Sequence, residues 1–93
     1  MVVIGKFSAT VQNAEYREFS AKERPDKVYR LNEIEFNSKE LGISGICRDW
    51  ALSYPVDKLL RGTEITIFYN SCKPVKGFSS FFEFSGFVEI AKK

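Results

Sequence analysis

Between residues 16 and 36, in the run YREFSAKERPDKVYRLNEIEF, the rings of Tyr16, Phe19 and Tyr29 are interleaved with Arg17, Lys22, Arg24, Lys27 and Arg30. Side chains of these two kinds, close together, can stack on flat bases and neutralise phosphates at once, each stack typically contributing about 1–3 kcal/mol. Glu15, Glu18, Glu23 and Asp26 lie among the same cations, so a solvated hairpin with charges paired across its strands is the competing reading. Arg48 and Trp50, two residues apart, share one strand face, where a second cation and ring could line a groove. A tryptophan packed in the barrel interior is the more frequent outcome of such a pattern. Phe78 stands beside Gly77, with Lys73 and Lys76 nearby, in a turn that is poorly placed for a core and suited to stacking.

Phe78, Phe81, Phe82, Phe84 and Phe87 make up five of the nine phenylalanines of the chain. Phe82 and Phe84 have the parity of a barrel interior, whereas Phe81 and Phe87 fall on the opposite face, where a symmetric dimer would cover them. Asp49, Asp57 and Glu64 read as scattered surface acids. Cys47 and Cys72 are too far apart for a metal-binding pair, and with no histidine in the chain a four-ligand zinc set has no basis. Both read as reduced thiols. No cofactor, metal or catalytic constellation is visible, and an enzyme is not expected.

The elements that must carry these residues are strands. Aromatic and β-branched residues alternate with polar ones in short runs separated by turn formers. Strands are predicted over residues 2–11, with a bulge or bend at Gly5, then over 15–19, 27–36, 42–52, 64–69 and 81–90. A turn lies near residues 22–26 at Pro25, and a single helical turn is predicted over 55–60, closed at Gly62. Ile34 and Phe36 rejoin the core while the distal hairpin carries charge on both faces and projects beyond it. In the last strand Phe82, Phe84, Val88 and Ile90 share a face and Gly86 leaves a gap.

Five or six short strands in 93 residues predict an all-β fold. It reads as a small closed Greek-key barrel of the oligonucleotide-binding (OB) type, forming one domain over residues 1–93. An SH3-like barrel is the structural rival. The 44% hydrophobic and 28% charged composition fits a globular protein. No apolar run is long enough for a membrane helix and no secretory leader is evident, so a cytoplasmic location is expected. The net charge of +2 is too small to identify a polyanion partner by itself. Lys92 and Lys93 read as a solvated basic tail.

The segments KVYRLNEIEF, YPV, LLRGTEITIFYNS and KGFSSFFEFSGFVEIAKK together, in order over most of the chain, resemble the single-stranded DNA-binding proteins of filamentous phages, the gene-five family. The resemblance is densest at Lys27, Tyr29, Leu31, Asn32 and Glu33. It implies a five-stranded barrel, a DNA-binding wing over residues 16–33 and a second hairpin over about 69–82 that builds a two-fold dimer, in which Val75, Phe81 and Phe82 would lie. It implies that Tyr29 and Leu31 face DNA, that Arg24 and Lys27 are wing cations, and that Phe78 stacks on DNA held mainly by the other subunit. Two arginines of the family's last strand are replaced here by Ser85 and Phe87, and its groove tyrosines by Asn37 and Ser44. Arg48, Trp50, Arg17 and Arg30 are the compensating candidates.

The function so expected is sequence-tolerant coating of single-stranded DNA by a cooperative homodimer during phage DNA replication, in the host cytoplasm. RNA binding with translational regulation on the same barrel, and a protein-interaction module using the phenylalanine-rich patch, are the alternatives.

Overall fold

The computed structural model describes residues 2–91; Lys92 and Lys93, read above as a basic tail, lie outside them. Five strands, β1 (Gly5–Ala21), β2 (Arg24–Ser38), β3 (Ile43–Asp49), β4 (Glu64–Pro74) and β5 (Phe81–Ile90), close into a barrel in the order β1-β2-β3-β5-β4. β4 pairs back onto β1, and the β3–β5 pair is parallel while the others are antiparallel. No helix of the described residues is long and apolar enough to cross a membrane.

Strict alternation supplies the core. Phe7, Val11, Ile34, Phe36, Cys47, Ile65, Ile67, Phe84 and Val88 point inward and are buried. The Phe7, Phe36 and Phe84 rings meet at tilted angles with centroids 4.9–5.7 Å apart, the offset geometry that aromatic quadrupoles favour. The helical turn predicted over 55–60 is a 3-10 turn, Val56–Lys58, that delivers the buried Leu59 to this cluster. At Gly86 a Cβ would collide with the Phe68 carbonyl of β4, so the gap predicted there is what lets β4 and β5 close.

The first two predicted strands are one continuous strand, and the irregularity falls elsewhere than at Gly5. Gly5 sits where the Tyr69 ring lies against the backbone; the pairing of β1 with β2 slips instead between Val11 and Asn13. One extra residue in a strand reverses the direction of every side chain beyond it. Phe7, Ala9 and Val11 point inward before the slip; after it Ala14 takes that direction, opposite the inward Ile34. Arg17 and Phe19 therefore join the outward face, and Tyr16 does not.

Past residue 14 of β1 and before residue 32 of β2 the two strands pair with each other alone and leave the barrel as a wing. The wing contributes to a longest dimension of 41 Å against a shortest of 24 Å. The turn is tighter than predicted, at Lys22 and Glu23, and Pro25 falls within β2. Register jumps from Ser20↔Val28 to Ala21↔Arg24, which leaves Pro25, Asp26 and Lys27 without cross-strand partners. Proline is tolerated there because no ladder bond is required of it.

Candidate nucleic-acid interface

The outward faces of the wing, β3 and β5 form one surface. Cross-strand register sets Arg17 opposite Leu31, Phe19 opposite Tyr29, Glu33 opposite Arg48, and Arg48 opposite Ser85. Trp50 continues the outward face of β3 just past its end. Phe19 and Tyr29 stack with centroids 5.6 Å apart and planes 24° apart, and Phe19 meets Trp50 edge-on at 5.9 Å. The ammonium of Lys27 lies 5.3 Å from the centroid of Tyr29, within the range of a cation–π attraction. Phe19 is 46% and Trp50 41% exposed, so Trp50 belongs to the groove wall and not to the barrel interior.

Leu31 does not offer the surface contact expected of it. It is 3% exposed, because Phe19 on β1 and Trp50 beyond β3 reach each other across β2, with Leu31 on the strand between them. Leu31 is the floor of the ring cluster.

A buried acid holds Trp50 in place. Asp49, read from sequence as a surface residue, has no exposed area. Its carboxylate accepts hydrogen bonds from the Ala51 N–H at 3.1 Å, the Ser53 N–H at 3.0 Å and the Ser53 hydroxyl at 3.2 Å. Burial pushes the Asp49 carboxyl above its usual range, and these hydrogen bonds oppose the shift. The next residues are fastened as well: Asn32 donates to the Tyr54 carbonyl at 2.6 Å, and the Ile90 N–H donates to the Tyr54 hydroxyl at 3.1 Å. An aspartate followed four residues later by serine is a turn pattern open to recognition. Its burial could not be read, because it depends on β5 covering the loop.

Of the candidate cations, Arg17, Arg30 and Arg48 are all paired. Arg17 bonds Glu15 at 2.9 Å and Glu33 at 3.2 Å. Arg48 lies 3.3 Å from Glu83 and 3.8 Å from Glu33, and Lys73 lies 3.4 Å from Glu83. These two cations hold the Glu83 carboxyl below its usual range, the Arg48 hydrogen bond being the larger cause. Arg30 pairs with Glu18 at 2.8 Å on the other face of the wing, away from the ring cluster, where Tyr16 also lies. Arg24 and Lys27 make no ion pair among the described residues and stand at the tip.

No protein-family model, curated protein or solved structure matches this chain.

The far end of the surface carries the second ring site. Phe78 is 66% exposed in the loop between β4 and β5, with Phe81 as a ring neighbour at 5.9 Å. The Ser80 carbonyl accepts from the Ser44 N–H at 2.9 Å, which ties this loop to β3. A hollow of about 500 Å³ there is lined by Asn37, Lys39, Ser44, Phe78 and Phe81, and one of about 320 Å³ lies beside Arg48, Trp50, Lys73 and Ser85. The Ser44 hydroxyl donates to Asn37 at 2.9 Å. Ser44 and Trp50 are six residue steps apart, about 20 Å along an extended chain.

Val75 and Phe81, expected at a dimer interface, are half-buried, and Val75 donates to the Phe81 carbonyl at 3.0 Å. Phe82 points inward and packs beside Phe84 at 6.4 Å, so much of its ring belongs to the barrel core. Phe87 stacks face to face with Phe68, centroids 4.9 Å and planes 8° apart. One face of its outward ring is thereby covered within the chain, and the two stacked rings both remain half-buried.

Proposed function

We propose that this chain is a homodimeric protein that coats single-stranded DNA with little sequence preference, as the gene-five family resemblance implies. The observation that carries the reading is the outward cluster of Phe19, Tyr29 and Trp50 over Leu31, with Lys27 against Tyr29 and Arg24 at the wing tip. Every base has a π-face, so such a platform accepts any sequence, and the flanking cations meet the backbone. Rings already packed on one another lose little freedom on binding, which lowers the ordering cost. The closed five-strand order, with β3 parallel to β5 and hairpins projecting from it, is compatible with an OB-type barrel, whose strand 2–3 face and loops are its usual oligonucleotide-binding surfaces.

At the far end Phe78 would stack on a strand held mainly by the other subunit of the dimer. The protein performs no chemistry in this reading; in a phage-infected cell it keeps new strands single until they are packaged.

The test is titration with oligo-dT while following Trp50 and tyrosine fluorescence. Quenching is expected, with affinity falling steeply as salt rises because counterions are released. Tight binding to duplex but not to single strands would sink the proposal, and preference for RNA of matched sequence would move it to the RNA-regulatory alternative.

A further inference from the structure

The ion pairs on the outward surface join into one belt that crosses every strand of the barrel. It runs from Glu15 and Arg17 on β1 to Glu33 on β2, Arg48 on β3, Glu83 on β5 and Lys73 on β4, with successive contacts of 2.9, 3.2, 3.8, 3.3 and 3.4 Å. Three cations and three carboxylates alternate, so the belt itself carries no net charge. The central carboxylates are the sheltered ones. Glu33 and Glu83 have side-chain exposures of 22% and 25%, against 53% for Glu15, and each contacts two cations.

We infer that Glu33 and Glu83 act as built-in phosphate mimics, holding Arg17, Arg48 and Lys73 in a masked state and setting the affinity for single-stranded nucleic acid. This rests on the coating function proposed above. A carboxylate presents two oxygens to guanidinium and ammonium groups much as a phosphate does. A strand entering the surface must therefore displace one of these pairs before its own phosphate gains a cation. The displaced carboxylate remains beside the strand as a like charge, so both effects weaken binding. The consequence is a strand held firmly by stacking and by the unpaired cations at the tip, yet loosely across the middle, from which it can be peeled.

The experiment compares Glu33→Gln, Glu83→Gln and Glu18→Gln with the unaltered chain, titrating each with oligo-dT across a range of salt. Glu18→Gln adds the same unit of charge but unmasks Arg30 on the other face, and so controls for net charge. Glu33→Gln and Glu83→Gln are each expected to tighten binding by about two- to fivefold, the span of one exposed ion pair. Their salt dependence should steepen by roughly 0.7 in logarithmic slope for each phosphate newly paired. Glu18→Gln should change neither by as much. If the unaltered chain binds and the two variants are unchanged, weakened or no different from Glu18→Gln, the masking inference is overturned and the coating function survives. If neither the unaltered chain nor any variant binds, the coating function falls and the inference with it. Should Glu83→Gln unfold the chain, Glu33→Gln decides from the other side of Arg48.

Discussion

At the base of the wing, Phe19 of β1 and Tyr29 of β2 meet Trp50 from just past β3 over a buried leucine, whereas at the β4–β5 tip Phe78 is 66% exposed with Phe81 at its side. The first arrangement is a platform complete within one chain. The second is a lone ring on a loop, and a base set on it would still need a surface opposite. Under the coating function proposed above, a single chain would supply one finished stacking site and one half-site, and assembly would then be part of binding and not an addition to it.

Removing a ring at each end tests this most directly. Tyr29→Ala combined with Phe78→Ala should weaken oligo-dT binding by about 1–3 kcal/mol per ring, with dimerisation, measured by sedimentation, intact. If Phe78→Ala has its full effect under conditions where the chain is monomeric, the contrast between finished site and half-site is wrong.

Leu31→Ala probes what lies beneath the platform. A stability loss of about 2 kcal/mol in urea denaturation is expected, the low end of the range for leucine truncation because the wing base is thinly covered. Quenching of the Trp50 signal should weaken alongside it. Unchanged stability with lost affinity would instead restore Leu31 as a surface contact.

The cations should separate by position. Lys27→Ala or Arg24→Ala at the wing tip is expected to lower the logarithmic salt slope by about 0.7, while Arg30→Ala, paired on the opposite face, leaves it unchanged.

The smallest effects are expected from two acids, one supporting each region. Asp49, which fastens Trp50, has its folded-state value raised above the ordinary 3.8. Its neutral form therefore favours the fold, a contribution complete below pH 3.8 that fades as pH rises through the folded value. Glu40 accepts hydrogen bonds from the backbone N–H and hydroxyl of Ser8, fixing the β2–β3 turn near the Phe78 hollow, and is held below 4.5. Its carboxylate form favours the fold, an effect present above pH 4.5 and lost as pH falls through the folded value. Urea midpoints followed against pH should show Asp49→Asn and Glu40→Gln changing the acid-side slope in opposite senses.

Much of the barrel was legible because its strands obey period-two burial: Ile65 and Ile67 in β4, and Phe84 and Val88 in β5, fall inward as their alternation requires. The wing was less so. Nothing in the residues around Gln12 announces a slip, yet that slip decides whether Tyr16 or Arg17 and Phe19 share a face with Tyr29. Leu31 and Asp49 misled for a related reason. Their burial comes from rings on the two neighbouring strands and from a loop that packs against β5, which no local pattern encodes. The candidate ring and charge types were readable, but the pairing of Arg17 and Arg48 with Glu33 was not, since it depends on the three-strand register.

The unmatched Pro25, Asp26 and Lys27 near the wing tip have one more consequence. Within the barrel every strand has neighbours on both sides, but the wing exposes the outer edge of each of its two strands. Free edges invite other chains to add on as strands, and crowding many copies along one polymer would raise that hazard. Near the wing tip, where β2 has no partner over Pro25, Asp26 and Lys27, the irregular backbone and a residue with no N–H to offer are poor templates for an added strand. If copies do gather side by side on a strand as proposed, such a blunted edge would discourage them from zipping into a fibril.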